Sequence, residues 1–227
     1  MTVASQKGGA GKTTLATGLA AAWRASGLKV LIVDADPQDT ASSWAAKAPE
    51  GKGIDVISVE QGRLLLRQIP KLSEDYDRIV IDTPPRLGPE QRGAVLVADA
   101  VVVPTCCGGF EGDALGPTLD YLDAIVASHP GVPPKILLTL NKMTRTLLCD
   151  ALRVDVGEAG ITVLKTEIPQ RVRIAEAQSA GVTIVDYEPK DPAAIKFLQL
   201  AKEVESHVFE TCTENSDPKT EADGRAA

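Results

Sequence analysis

Lys7-Gly8-Gly9-Ala10-Gly11-Lys12-Thr13-Thr14 is the stretch that decides the fold. A short segment at 2–5 precedes it with strand character, and the alanine- and leucine-rich stretch 13–26 that follows carries apolar residues at helical spacing. A strand, a glycine loop and a helix N-terminus in that order aim several backbone N–H groups at one point, and the helix dipole adds positive potential there. A polyphosphate is the natural occupant. Lys12 is placed to reach its β and γ phosphates, Thr13 offers a hydroxyl to Mg2+, and Gly8, Gly9, Ala10, Gly11 and Thr14 complete the cradle. A flexible glycine turn is the competing reading, and it would not need the strand before or the helix after.

Outward from the loop, Val- and Ile-rich runs recur at 29–33, 55–57, 78–81, 100–103, 135–140 and 162–164. Several are continuously apolar, as strands covered on both faces are. Between them, 61–72, 90–98, 113–128, 147–159 and 192–209 show helical periodicity. The alternation predicts an α/β fold, a doubly wound and mostly parallel sheet flanked by helices. Right-handed crossovers would then gather the C-terminal ends of the strands on one edge, where ligands bind.

Composition sets the outer limits. The chain has 227 residues, 44% hydrophobic and 24% charged, which suits one sizeable core and excludes a fibrous or fully disordered chain. We expect a single P-loop domain over 1–210 and an acidic, disordered tail over 211–227, where apolar residues almost vanish. The net charge of −7 gives no whole-molecule basic footprint. It is uneven, however: 101–134 holds four acids and no bases, and 135–173 holds seven bases against four acids. Cys106 and Cys107 are adjacent while Cys149 and Cys212 are isolated, a pattern that fits neither a disulfide framework nor a C-x-x-C metal site and suggests a reducing cytoplasm. No signal peptide or membrane span is expected.

Two apolar strands end in acids. The segment 30–36 ends in Asp34 and Asp36, which project to the same side at a spacing of two, with capping of the following helix as the alternative role. The segment 76–85 ends its apolar run in Asp82, placed to hold Mg2+ directly or through water. A third strand leads into Thr139-Leu140-Asn141-Lys142-Met143-Thr144; guanine-specific relatives of such proteins carry an aspartate where Thr144 stands, so ATP is favoured over GTP.

The loop departs from G-x-x-x-x-G-K-[ST], because Gln6 stands at the first glycine and Lys7 is an added lysine. In this form it is similar to the deviant Walker A motif of the ParA/MinD family of dimerising ATPases, over nearly the whole chain to about residue 209. The resemblance implies a catalytic set of Lys7, Lys12 and Asp36. Lys7 would cross to the nucleotide of a second subunit, giving an ATP-sandwich homodimer. Asp36 would lie in switch I, orient the attacking water and join Thr13 and Asp82 around the metal. Thr83-Pro84-Pro85 would form switch II, Asn141 would contact adenine, and Pro169, in a loop similar to the family's P-R-x-V-R, would close over the base.

Within that family the chain looks like the short ParA-type partition ATPases, which lack an N-terminal helix-turn-helix. The implied activity is ATP hydrolysis, stimulated by a cargo adaptor or centromere-binding protein, that partitions or positions a plasmid, chromosome origin or carboxysome-like assembly. Such proteins bind DNA non-specifically, and Arg145, Arg153, Lys165, Arg171 and Arg173 are the candidate contacts, with solvated helix faces as their alternative role. The acids of 101–134 would suit a basic partner segment. The expected location is the cytoplasm, on the nucleoid, with no membrane contact. A MinD-like membrane role would need a basic amphipathic C-terminus, and the chain's end is acidic. An amide ligase on the same fold remains a rival, but it would have no use for Lys7.

Overall fold

The computed structural model describes residues 1–106, 112–141, 156 and 161–209. Seven strands form one sheet: β1 (Thr2–Val3), β2 (Val30–Asp34), β3 (Asp55–Ser58), β4 (Arg78–Asp82), β5 (Ala100–Thr105), β6 (Lys135–Leu140) and β7 (Thr162–Val163). Their order is β3-β2-β4-β1-β5-β6-β7, and every neighbouring pair is parallel. The helices are α1 (Lys12–Ala25), α2 (Thr40–Ala45), α3 (Gly62–Leu72), α4 (Pro89–Leu96), α5 (Gly112–Ala127), α6 (Val172–Ser179), α7 (Ile184–Tyr187) and α8 (Pro192–Phe209). All seven expected strands are present, and the expectation of a mostly parallel sheet resolves to a fully parallel one. The expected helix at 147–159 lies outside the described residues except for Val156, and so does the tail at 211–227.

Alternation along the strands builds the core on both faces of the sheet. Val30, Ile32, Val80, Val102 and Leu137 pack with Leu15, Leu19 and Trp23 of α1 and Phe197 and Leu200 of α8. The intervening residues face the other way. Leu31, Val33, Ile79 and Ile81 meet Leu65 and Ile69 of α3, while Val101, Val103 and Leu138 meet Leu122 and Ile125 of α5. This two-sided cover is why the strands read as unbroken apolar runs.

The α3–α4 pair closes on backbone. A Cβ placed on Gly62 would stand 1.8 Å from the Pro89 carbonyl oxygen, and one on Gly93 would stand 2.3 Å from that of Gly62. Neither contact can be relieved by turning a side chain. Gly62→Ala should therefore lower stability by about 1–3 kcal/mol, the usual cost of overpacking, read as an earlier midpoint in urea unfolding. An unchanged midpoint would show that the two helices do not approach this closely.

The strand order places β1 between β4 and β5, so the connection from β1 leads towards one edge of the sheet and that from β4 crosses to the other. Ligands of open α/β sheets bind at such a reversal, outside the C-terminal ends of the strands.

Candidate functional site

The loop between β1 and α1 turns through two left-handed residues, Gly9 (φ 76°) and Gly11 (φ 86°), a region that L side chains avoid. Gly11 is the N-cap of α1, and no side chain caps the helix there. Its first-turn N–H groups are thus left to a ligand. Lys12, the first residue of α1, is buried at 7% exposure and donates from Nζ to the Lys7 carbonyl oxygen at 3.1 Å. Burial pulls its pKa down, and the neighbouring charges of Asp82 and Asp36 pull it back up. Lys7 is half-exposed, and its backbone N–H donates to Ser5 Oγ at 3.3 Å. Thr13 and Thr14 are half-exposed on the first turn of α1.

The acids predicted from strand ends come together beside this loop. Asp34 and Asp82 are register partners at the ends of β2 and β4. Asp82 is 1% exposed, and among the described residues neither carboxylate oxygen has a hydrogen-bond partner. Burial pushes its pKa up to about 7; the Thr13 hydroxyl and the Lys12 ammonium offset part of the rise, and Asp34 and Asp36 add to it. An orphaned, buried carboxylate facing a hydroxyl is a donor pair that suits Mg2+, which binds through one or two carboxylates and takes its remaining oxygens from water and phosphate. The described residues contain no group of three or more His, Cys, Asp or Glu side chains able to hold a metal.

Asp34 and Asp36 differ in their surroundings. Asp34, fully buried, accepts the Asp36 N–H at 3.2 Å and the Ser42 N–H of α2 at 2.9 Å. Burial raises its pKa, and these N–H donors hold it back. It is the helix-capping residue. Asp36 is half-exposed and accepts the Gln38 N–H at 3.0 Å, a local turn, while its charge acts on Lys12. Between them and α2, Asp39 adopts a left-handed conformation (φ 50°), one that aspartate tolerates better than most side chains. Thr83, next to Asp82, is tied back by its hydroxyl to the Val3 carbonyl oxygen at 2.8 Å, so β4 and β1 hold the site's floor together.

Beside the loop opens a cleft of about 370 Å3, lined by Gly11, Thr14, Asn141, Ile168 and Pro169 and, from the α6 region, by Gln170, Arg171, Ile174, Ala175 and Gln178. Asn141, at the end of β6, is buried and donates from Nδ2 to the Ala10 carbonyl oxygen at 2.8 Å. It therefore braces the glycine loop as well as lining the cleft. Pro169 lies in the wall, as the sequence suggested.

The candidate DNA contacts separate. Arg171 lines the cleft and stands 3.9 Å from Asp191. Arg173 pairs with Glu176 and Glu188, each at 3.5 Å, and Lys165 is exposed. Arg145 and Arg153 lie outside the described residues, as do Lys142 to Thr144, Cys107, Cys149 and Cys212. The loop 168–173, expected to close over the base, gives Ile168, Pro169, Gln170 and Arg171 to the cleft, whereas sequence reasoning missed Gln178 because it assigned no helix to 172–179. The available signal was the helix-permissive run before Gly181, a short stretch that buries only Ala177.

The chain is similar to known proteins in sequence and fold. Residues 1–184 match the family described as the CobQ/CobB/MinD/ParA nucleotide binding domain. The chain is 32% identical over 241 residues to the chromosome-partitioning ATPase Soj of Thermus thermophilus, covering 92% of this chain and 96% of that one. It is 44% identical over 210 residues to the maintenance of carboxysome distribution protein A of Gloeobacter kilaueensis, covering 89% and 92%. Among solved structures, the septum site-determining protein MinD of Pyrococcus horikoshii, complexed with Mg-ADP, superposes with a TM-score of 0.70 at 25% identity, covering 93% of this chain and 98% of that one. Among the described residues no helix is long and apolar enough to cross a membrane.

Proposed function

The chain belongs to the CobQ/CobB/MinD/ParA nucleotide-binding family, and within it we propose that it is a ParA-type ATPase: it binds ATP with Mg2+, pairs with a second copy around the nucleotide, and hydrolyses ATP to leave that pair. The observation that carries this reading is the presence of two lysines with different burial in one loop. Lys12 is buried at the helix N-terminus and meets what one chain needs at the β and γ phosphates. Lys7 is surplus to that need and half-exposed, as a residue reaching a second subunit's nucleotide must be.

Asp82 and Thr13 would hold Mg2+, with Asp36 reached through water. Bound there, the ion would supply positive charge to offset that of the phosphates. The first turn of α1 orients the phosphate chain, Lys12 moves from the Lys7 carbonyl onto it, and the Asp36 carboxylate positions the water that attacks. The attacking oxygen bonds to the γ phosphorus, the bond from that phosphorus to the bridging oxygen breaks, and ADP and phosphate leave.

The nucleotide state then sets whether a DNA-binding surface exists. In the paired form each basic contact is present twice, and affinity for phosphates rises and falls steeply with salt. Lys165 and Arg173 are the described candidates outside the cleft. Exposed Asp120 and Asp123 on α5 would receive a basic segment of a cargo adaptor. The relatives suggest a replicon or a protein assembly as cargo, and the cytoplasmic nucleoid as the place of action.

The test is binding to random-sequence duplex DNA at fixed moderate salt, with ATP and then ADP, read alongside the protein's mass in solution. The unaltered protein should dimerise and bind only with ATP. Lys7→Ala should still bind nucleotide yet stay monomeric and leave DNA free. Lys165→Gln with Arg173→Gln should dimerise but bind at least about tenfold more weakly, with a shallower salt dependence. DNA binding that ignores both the nucleotide and Lys7 would refute the switch.

A further inference from the structure

Nothing above assigns Gln178, yet its amide is oriented by hydrogen-bond geometry. Its Nε2 lies 2.9 Å from the Thr17 hydroxyl on α1. That hydroxyl in turn lies 2.8 Å from the Thr13 carbonyl oxygen and 3.2 Å from that of Thr14. Two oxygens 2.8 Å apart need a hydrogen between them, and a carbonyl has none to give, so the Thr17 proton is committed to the helix backbone. Thr17 can therefore only accept from Gln178. The amide must present Nε2 to Thr17 and turn Oε1 away, and among the described residues no donor reaches Oε1.

Gln178 also lines the cleft beside the glycine loop. The phosphate end of that cleft is fixed by Gly11 and Thr14 at the start of α1, and Thr17 lies one turn further along the helix, about 5 Å away at 1.5 Å per residue. The walls there are apolar and suit a flat ring: Ile168 and Pro169 on one strand-to-helix connection, Ile174 and Ala175 on α6. Across the cleft, Asn141 has its Nδ2 engaged by Ala10. Gln178 thus supplies the cleft with an acceptor that has no partner among the described residues.

We propose that Gln178 is a specificity-determining residue: its Oε1, held outward by Thr17, accepts a hydrogen from the 6-amino group of adenine and repels a 6-oxo purine. This rests on the nucleotide-binding reading above and goes beyond it, because it names the atom that tells one purine from another. An acceptor facing a 6-oxo group would be desolvated without a partner, which is the stronger half of the discrimination.

The experiment measures Kd for ATP and ITP, each with Mg2+, on the full chain. The unaltered protein should prefer ATP by about tenfold or more. Gln178→Met, which keeps volume and loses the acceptor, should bring the two within about threefold, mostly by weakening ATP. Thr17→Val, which leaves Gln178 in place but frees its amide to rotate, should narrow the preference in the same direction. Gln178→Glu, which keeps an acceptor, should retain the preference even if both affinities fall. Equal weakening of ATP and ITP in Gln178→Met would place Gln178 at the ribose or in the wall and overturn the proposal, as would an ATP preference unchanged in that variant. Binding of ATP and ITP with equal affinity by the unaltered protein would overturn it alone, whereas binding of neither would overturn the nucleotide reading beneath it.

Discussion

Without nucleotide or metal, the protein is expected to lose up to about 4 kcal/mol of stability as pH rises from the ordinary carboxylate range to about 7, and Asp82→Asn should abolish most of that loss. In the unfolded chain Asp82 titrates near 3.8; folded, burial holds its pKa at about 7. Below the lower value both states are protonated and the side chain contributes no pH dependence. Between the two values the unfolded chain releases its proton while the folded one keeps it, so unfolding gains ground at about 1.4 kcal/mol per pH unit. Above about 7 both are ionised and the full penalty stands. Urea unfolding of chelator-treated protein at pH 5 and pH 8 reads this directly. Asp82→Asn should be more stable than the unaltered protein at pH 8 and much closer to it at pH 5, since asparagine carries no charge to bury. Asp34 is also raised by burial and is coupled to Asp82 by charge, so the comparison reads the titration of the pair. If the two proteins showed the same pH dependence, Asp82 would not be the orphaned carboxylate of this fold. The same penalty has a functional side: nucleotide with Mg2+ should stabilise the unaltered protein more at pH 8 than it stabilises the variant, because only the ionised carboxylate gains from the cation.

Asp82 also shows how much of the molecule could be read before its fold was known. An apolar strand ending in aspartate is a common pattern, and it gained meaning from the glycine loop some seventy residues earlier. The inner strands were legible because a parallel sheet with helices on both faces leaves continuous apolar runs, from Val30 to Val33 and from Ala100 to Val103, that few other contexts tolerate, whereas the partly exposed edge strands β3 and β7 were read from their Val and Ile content. The helices α2 and α6 were not. Each is short, α2 buries only Ala41 and Trp44 and α6 only Ala177, so neither writes an apolar stripe into the sequence. Trp44 is anchored by its indole N–H on the Val182 carbonyl oxygen, a contact across 138 residues that no local pattern contains. The site divides in the same way. Backbone-led features such as Gly9 and Gly11 were plain, and so were the acids on strand ends. The difference in surroundings between Asp34 and Asp36 was not, because it depends on where the Ser42 N–H falls after the chain has turned. Gln178 was invisible for the same reason, since its partner Thr17 is brought to it only by packing of α6 over α1.

Lys12→Met is expected to cost about a hundredfold or more in ATP affinity while leaving the nucleotide-free protein within about 1 kcal/mol of its original stability. The affinity term follows from charge-assisted hydrogen bonds to two phosphates, each contributing roughly 1.5–3 kcal/mol. The stability term is a near-cancellation. A buried ammonium is costly to desolvate, as its lowered pKa shows, and its attraction to Asp82 and Asp36 returns much of that cost. Its one hydrogen bond given by the geometry is to the Lys7 carbonyl of its own loop, a partner it must leave when phosphate arrives. Methionine fills the same unbranched space without the charge, and the neighbouring Asp82, already raised to about 7, can stay protonated rather than stand unpaired. Thermal unfolding with and without ATP and Mg2+ separates the two terms. The unaltered protein should gain about 3 kcal/mol when ligand is present at a hundred times its Kd, and Lys12→Met should gain little at the same concentration. A variant that unfolded early without ligand would show Lys12 to be part of the scaffold. One that kept its ligand response would move the phosphate site away from the first turn of α1.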